Sequence, residues 1–183
     1  MSGSPADLAD AVIQFWCEEL SPEQHWKKDP TMDWHITERF GKIRERVLAT
    51  SAAGWRDSPK TLAAAIILID QFSRNMYRGS AKAFEGDGLA LDLCREALAK
   101  GWVDKVPKPL PSFVLMPLMH SEKPEDQERS LAEFQKRDPF NYKFAVLHHD
   151  QIKRFGRFPG RNRALGRVSS PEEREVVERG ETF

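Results

Sequence analysis

The sequence predicts an all-α protein of stacked antiparallel helical hairpins, with no β-sheet. Two observations carry this prediction. A serine directly precedes a proline at Ser4, Ser21, Ser58 and Ser170, and a helix-forming stretch follows each pair. Serine can cap the first exposed N–H groups of a helix, and proline at the first helical position loses no hydrogen bond. Apolar residues also recur at helical spacing, and no segment alternates between polar and apolar residues as a strand does.

The apolar spacing predicts each helix in turn. The first two are expected over residues 8–20 and 34–48, and a third, apolar on almost every side, over residues 62–76. A fourth, over residues 89–98, is expected to end at Gly101, because glycine readily adopts the left-handed conformation after a helix. A proline-dense connector follows at 106–111, then a short apolar segment at 113–119. Two further helices are expected over about 124–135 and 140–155.

The length and composition indicate one folded domain. The chain has 183 residues, of which 40% are hydrophobic and 31% are charged. Such a chain is long enough to bury a core, and its composition is that of a globular protein rather than a disordered one. We therefore expect a single helical domain over residues 1–183, interrupted only by the connector near 106–111.

The charge balance and the chain's amino-terminal residues limit partners and location. Lysine plus arginine equals aspartate plus glutamate at 28 each, so there is no basic excess with which to capture nucleic acid. No apolar run is long enough to cross a membrane, and the first ten residues do not resemble a secretion signal. The sequence predicts a cytoplasmic protein with no nucleic-acid or membrane partner. Cys17 and Cys94 lie in apolar helical patterns and are expected to be free thiols.

The first candidate site segment follows the apolar run of the third helix. It contains Asp70, Gln71, Arg74 and Asn75. Asp70 and Arg74 are four residues apart, so they share a helical face and can form an ion pair. These polar groups belong either to a binding site close to the core or to an ordinary helix end that emerges into solvent.

The second segment contains His120 and Glu122, which follow an apolar stretch. A histidine near a carboxylate is suited to proton transfer, and His148 is a further candidate for the same chemistry. The alternative is that Ser121 or a neighbouring residue caps the next helix while Glu122 favours its positive end.

The third segment is the most distinctive, since arginines surround a helix end. Arg154 closes the predicted helix, and Gly156 and Pro159 end it, so that Arg157, Arg161 and Asn162 lie on the following loop. Guanidinium groups on a constrained loop suit the capture of a carboxylate or phosphate. The same arginines could instead bridge helix carboxylates. Phe155 and Phe158 are expected to anchor the loop while the arginines face away from the core.

Cofactor and metal motifs are absent from the sequence. His148 and His149 are adjacent, so they point in different directions on a helix, and no paired-cysteine or spaced-histidine pattern occurs. The Gly86-Asp87-Gly88 stretch lacks the strand that a nucleotide-binding loop would need. The sequence therefore predicts no metal ion and no cofactor.

Three stretches of the chain carry a resemblance to a known family. The stretches IILIDQFSRNMYRGSAKAF, LMHSE followed by DQERS, and RFGRFPGRNRALGR together resemble the bacterial domain-of-unknown-function family 924, as does the early stretch FWCEELSPEQHW. The resemblance runs from about Val12 to the end of the chain. It implies a tetratricopeptide-like helical fold and no particular activity.

The resemblance also marks polar positions. One position departs from the family pattern: Gly160 stands where the family typically has histidine, which argues against a role that needs that side chain. The matching polar residues are Asp70, Gln71, Arg74, Asn75, Arg78, His120, Ser121, Glu122, Gln127, His148, Arg154, Arg157, Arg161 and Asn162.

Three functions remain open from the sequence. The first is a binding module that holds a small anionic molecule or a peptide carboxylate in a pocket lined by arginine, asparagine and histidine. The second is an enzyme that uses His120, Glu122 and His148 as acid–base groups. The third is a structural or protein-interaction scaffold whose polar cluster only fixes helix packing.

Overall fold

The computed structural model describes residues 3–183. This part of the chain folds into helices joined by turns and contains no strand, which confirms the all-α prediction. None of its helices is both long and apolar enough to cross a membrane. The tetratricopeptide-like arrangement of the hairpins stays a prediction.

The contacts of the chain divide it into two compact units. The amino-terminal unit comprises the chain as far as Arg78 together with Lys82–Pro117, and the carboxyl-terminal unit comprises Gly79–Ala81 and Leu118–Phe183. The division falls inside a helix, after Pro117, rather than at the proline-dense connector at 106–111. The single domain over residues 1–183 stays a prediction.

The helices up to the division are bounded as follows: α1 Pro5–Gln14, α2 Pro30–Ala49, α3 Pro59–Ile66, α4 Phe72–Met76, α5 Asp87–Ala99 and α6 Leu110–His120. Two π-helical turns interrupt this series. One, Phe15–Glu19, directly follows α1, and the other, Ile67–Gln71, joins α3 to α4. The predicted third helix is therefore continuous from Pro59 to Met76 but contains one wide turn.

The serine–proline pairs start helices at three of the four predicted places. Ser4, Ser58 and Ser170 each accept a hydrogen bond from a backbone N–H of the first helical turn. Ser21 does not, and the prediction of a helix there is wrong: the segment forms only a short turn. The second helix begins after Asp29 instead, whose carboxylate accepts from the N–H groups of the next turn. The extended conformation that Pro30 favours at Asp29 separates this turn from α2.

Aromatic side chains fill the centre of the amino-terminal unit. The ring centroids of Phe40 and Phe72 lie 4.9 Å apart, and Phe15 lies 5.2 Å from Phe40. Trp16 packs edge-on against Phe72 at 5.3 Å. Because Phe15 and Trp16 belong to the first π-helical turn, the core holds that turn at its beginning.

The carboxyl-terminal unit is built on a pair of consecutive helices. Helix α7, Pro124–Arg137, packs along α8, Pro139–Phe155, and Asp138 between them caps α8 through the N–H of Asn141. Helix α8 ends at Gly156, which adopts φ +69° as the sequence predicts. A short 3₁₀ turn, Pro159–Arg161, and helix α9, Pro171–Glu178, follow.

Candidate functional site

Arg74 lies between two carboxylates in the amino-terminal unit. Its Nη1 is 3.1 Å from Asp70 Oδ1, which confirms the predicted pair. The same guanidinium forms two hydrogen bonds to Asp87 at the start of α5, at 2.9 and 3.0 Å. Burial opposes its charge, but the carboxylates of Asp70 and Asp87 raise the pKa of Arg74 above its ordinary value. The guanidinium thus joins the π-helical turn to α5.

Two neighbours of Arg74 are also engaged within this unit. Gln71 donates to Asp70 Oδ2 at 2.6 Å, and its amide nitrogen is 3.2 Å from Met116 Sδ. Asn75 donates to Asp33 Oδ1 on α2 at 2.8 Å. Arg78 adds two hydrogen bonds to the carboxylate of Asp33. The first predicted segment therefore ties three helices together through Asp33, Asp70 and Asp87.

Arg44 is a buried cation that the sequence analysis does not single out. Its side chain is fully buried, its Nε donates to Ser73 Oγ at 2.9 Å, and its Nη1 lies 2.5 Å from Glu85 Oε1. The amphipathic spacing of α2 gives only a weak signal for its burial, namely that Arg44 follows Ile43 on the buried side. Arginine is so seldom buried without a partner that the pattern alone does not identify it.

The predicted loop arginines of the carboxyl-terminal unit also have carboxylate partners. Arg157 donates to both oxygens of Glu173 at 2.6 and 2.8 Å, and Arg154 pairs with Glu172 on the exposed side of α9. Hydrogen bonds from Arg157, together with those from the Ser170 N–H and the Asn162 side chain, lower the pKa of Glu173 to about 2. These two arginines connect the end of α8 to α9.

Glu122 is fixed inside the same unit. It accepts two hydrogen bonds from Arg167, at 2.8 and 2.7 Å, and one from the Phe158 N–H at 2.8 Å. Burial raises the pKa of Glu122, but the bonds from Arg167 and Phe158 outweigh burial and the pKa is lowered. Glu122 is consequently a charged carboxylate that positions the loop after α8.

The two candidate histidines lie next to each other in this unit. The ring centroids of His120 and His148 are 6.1 Å apart, with the ring planes tilted by 47°. His148 Nδ1 is 2.8 Å from the Phe144 carbonyl oxygen. A carbonyl can only accept, so Nδ1 carries the proton and Nε2 of neutral His148 is an acceptor.

Phe158 and Arg161 complete the surroundings of His148. Phe158 is fully buried and packs edge-on against His148, with centroids 5.5 Å apart. Arg161 is buried too, with its guanidinium 4.4 Å from the Phe158 ring centroid. The expectation that Phe158 anchors the loop is confirmed, whereas the expectation that every loop arginine faces away from the core is wrong for Arg161.

The last residues of the chain lie over His148. The Phe183 ring stacks on it, with centroids 3.7 Å apart and planes 24° apart. Gln151 Nε2 donates to the Glu181 carbonyl at 3.0 Å. Gly160 makes this approach possible, because a Cβ there would lie 2.7 Å from the Phe183 carbonyl oxygen and 2.9 Å from Thr182 Oγ1. Any side chain at this position, including the histidine that the family resemblance implies, is incompatible with the arrangement.

Three buried amide oxygens of this unit accept no hydrogen bond from any residue that the structure describes: Gln127 Oε1, Gln151 Oε1 and Asn162 Oδ1. The orientations of the two glutamine amides are set by their nitrogens. Gln127 Nε2 donates to the carbonyls of Met119 and Ser121, and Gln151 Nε2 to that of Glu181. Since carbonyls only accept, both amide oxygens are left without a donor, and a buried acceptor in that state is costly.

The predicted site residues fall in two units. Asp70, Gln71, Arg74 and Asn75 belong to the amino-terminal unit, and His120, Glu122, His148, Arg154, Arg157, Arg161 and Asn162 to the carboxyl-terminal one. Within residues 3–183, histidine, cysteine and carboxylate side chains form no group of three or more able to hold a metal ion. The residues that sequence reasoning missed are Asp33, Arg44, Asp87, Gln151 and Glu173.

The folded units and their networks of arginine–carboxylate pairs define an all-α protein with a polar, hydrogen-bonded interior. Its family follows from sequence: residues 12–181 match the model described as bacterial protein of unknown function (DUF924), and the chain belongs to that family. A solved structure of a protein of unknown function from Agrobacterium tumefaciens is similar, with 33% identity and a TM-score of 0.91. The similarity covers 97% of this chain and 100% of that one. No curated protein matches the chain.

Proposed function

We propose that the protein is a binding module whose carboxyl-terminal unit takes a peptide segment over His148, Gln151 and Gly160. One observation carries the proposal: the chain's own residues 181–183 lie there, with an aromatic ring on His148 and a backbone carbonyl bonded to Gln151. A second peptide of similar chemistry can make the same contacts when the chain's own segment moves aside. Of the two ligand classes expected from the sequence, a small anion and a peptide, we adopt the peptide.

The hydrogen-bonding character of the unit supports a peptide over a small anion. The amide oxygens of Gln127, Gln151 and Asn162 accept no hydrogen bond from residues 3–183, and peptide N–H groups are donors. A fully deprotonated anionic group, such as a carboxylate, offers only acceptors. Arg154 and Arg157 already bond to Glu172 and Glu173, so an anion would have to displace a carboxylate from either.

A carboxylate on the peptide remains part of the proposal through Arg161. Its guanidinium lies over Phe158 and acts electrostatically on Glu122, so it belongs to the surroundings of His148. Guanidinium groups hold carboxylates through paired hydrogen bonds. We assign Arg161, Asn162 and His148 to the peptide, and Arg154 and Arg157 to the support of the loop.

The test uses the chain's own segment as a ligand. The protein shortened after Gly180 is titrated with a fluorescent peptide of residues 177–183, and binding is followed by fluorescence anisotropy. We expect saturable binding to the shortened protein and weaker binding to the full chain, because the attached segment competes at high effective concentration. A peptide with alanine in place of the phenylalanine, and one with an amide at its carboxyl end, separate the contributions of ring and carboxylate.

Two titration results would contradict the proposed peptide binding. A shortened protein that keeps its helical circular dichroism yet does not bind the peptide contradicts the proposal. Equal binding of the alanine peptide contradicts the role of His148, and His148→Ala in the shortened protein should weaken binding to the same extent as loss of the ring.

One observation favours a second function, acid–base catalysis. His120 and His148 converge, and Nε2 of His148 is an acceptor that can take a proton. Glu122 is bound to Arg167 and so serves to position the site and not to donate a proton. A screen of ester, amide and phosphoester hydrolysis, with the His148→Gln variant as control, tests this function. Turnover that survives the substitution excludes His148 as the base.

A further inference from the structure

A groove in the amino-terminal unit lies along the first π-helical turn and the start of α2. Its volume is about 620 Å³, within the range of roughly 300–1,000 Å³ that small-molecule sites occupy. The buried ring of Phe15 and the buried side chain of Met32 line its apolar part. The stretch FWCEELSPEQHW, which the proposed function leaves unexplained, supplies one wall.

The wall formed by Phe15–Glu19 is a π-helical turn. Such a turn gives up regular helical hydrogen bonding, and π-bulges are found frequently at functional sites. Here the wide turn allows Phe15 to enter the core while Glu19 remains at the groove and pairs with Arg39 on α2. The groove is therefore shaped by an irregularity of the backbone that the core holds in place.

Trp34 provides an exposed aromatic face at the groove. It is 58% exposed, although large aromatic side chains are usually mostly buried. His35 packs edge-on against it, with ring centroids 4.9 Å apart. An indole that remains open to solvent beside a groove is suited to stack on a flat ligand or to bind a cation on its face.

The charges around the groove determine what can bind there. Glu19, Asp29 and Glu38 supply three carboxylates, and Arg39 one guanidinium. Arg39 bonds to both oxygens of Glu19, at 2.7 and 3.1 Å, so these two charges compensate each other. Glu38 forms no ion pair with any residue between 3 and 183, and Asp29 only caps α2. The carboxylates of Asp29 and Glu38 are not compensated by a cation of the groove, so they give it a net negative charge.

We propose that this groove binds a small organic cation, with its flat or alkylated cationic group on Trp34 and its charge near Glu38. Tryptophan is the aromatic side chain most favourable to a cation, and a neighbouring carboxylate adds an attraction that a neutral molecule of the same shape does not feel. An anion is repelled by the same charges. The site lies wholly in the amino-terminal unit, so it does not depend on the peptide site of the other unit.

Benzamidine and benzamide test the proposal as a matched pair, because they have nearly the same shape and only benzamidine is charged. Each is titrated into the full chain while the indole N–H resonances are followed by NMR, with that of Trp34 assigned from Trp34→Ala. We expect a saturable shift of the Trp34 resonance with benzamidine and a clearly weaker response to benzamide. Trp34→Ala, followed through the backbone amide resonances of the groove residues because this variant lacks the indole reporter, and Glu38→Gln should each weaken benzamidine binding by about 3- to 5-fold.

Matched controls separate the groove from general surface effects. Trp26→Ala removes a tryptophan that is also 58% exposed and does not line the groove, and Glu178→Gln removes an exposed carboxylate of the other unit. Both should leave benzamidine binding unchanged. Equal responses to benzamidine and benzamide, no saturable shift, or unchanged binding in a folded Trp34→Ala protein would each overturn the proposal.

Discussion

The Arg74 guanidinium forms two parallel hydrogen bonds to Asp87 while its Nη1 also lies 3.1 Å from Asp70. Asp70 is fully buried, and its carboxylate contacts this cation and the amide of Gln71. A buried carboxylate that loses its partner is costly because it can neither be solvated nor be neutralised nearby. The pair therefore holds the wide turn of the third helix against α5.

Arg74→Ala should destabilise the protein strongly. Breaking a buried pair by removing one partner typically costs about 3–5 kcal/mol. The free energy of unfolding, measured by urea denaturation, checks this expectation. Arg154→Ala is the control: Arg154 and Glu172 are both more than half exposed, and such pairs contribute only about 0–1 kcal/mol. Similar losses in the two variants would contradict the structural role assigned to Arg74.

Glu173 should make stability depend on pH in the acid range. Its pKa in the folded protein is about 2, below its ordinary 4.5, because Arg157 and the Ser170 N–H bond to the ionised form. A lowered folded pKa contributes stability that is complete above the ordinary pKa and is lost as pH falls toward the folded pKa. We expect wild type to exceed Glu173→Gln in unfolding free energy above about pH 5, and this difference to shrink toward pH 2. A difference that is constant over that range would contradict the assignment.

Gly160→Ala should displace the segment over His148. The new Cβ would lie 2.7 Å from the Phe183 carbonyl, closer than real Cβ atoms approach other atoms. The ring resonances of His148 and Phe183 in NMR spectra report their stacking, and both should shift toward unstacked values. Gly41→Ala is the control, since nothing lies within 4 Å of a Cβ at that position in α2. Unchanged His148 and Phe183 resonances in Gly160→Ala would show that the segment does not depend on glycine.

The two thiols should react slowly in the native protein. Burial, reinforced by the neighbouring charge of Glu18, raises the pKa of Cys17 to about 11, and Cys94 is fully buried. Because the thiolate is the reactive form, modification by a disulfide reagent at about pH 8 should be at least about tenfold slower than for a free thiol. Both cysteines should react at once in denaturant. A rapid native phase that Cys17→Ser abolishes would contradict the prediction.

The local rules of helix formation predict most of the fold. Ser4, Ser58 and Ser170 cap helices, and Gly156 ends one, because these effects depend only on residues within one turn. The prediction at Ser21 fails because Pro30 favours an extended conformation at Asp29, so that α2 begins after Asp29 and is capped by it. The two π-helical turns leave no signal in the apolar spacing, since packing in the core decides between a regular and a wide turn.

The candidate site is only partly predictable for a related reason. Asp70 and Arg74 are four residues apart, so helical geometry predicts their pair. Asp87 is thirteen residues from Arg74, and their contact requires α5 to approach the third helix. Gly86 permits that approach, because a Cβ there would lie 2.9 Å from the Ile69 carbonyl oxygen. The stretch Gly86-Asp87-Gly88 is thus not a nucleotide-binding loop without its strand. Gly86 allows close helix packing, and Asp87 is the partner of Arg74.

The wide turn Ile67–Gln71 makes the length of this stretch as important as its composition. Each residue of a regular helix advances the chain by about 100° around the axis, and a π-helical turn holds one additional residue. Deleting the additional residue would turn the wide turn into a regular one and leave Arg74 and Asn75 close to their present rotation about the axis, whereas inserting a residue into the regular turns on either side would rotate them by about 100° away from Asp87 and Asp33. A relative that lacks one residue in this stretch can therefore keep the Arg74–Asp87 and Asn75–Asp33 contacts with a regular helix, whereas one with an insertion in the regular turns cannot.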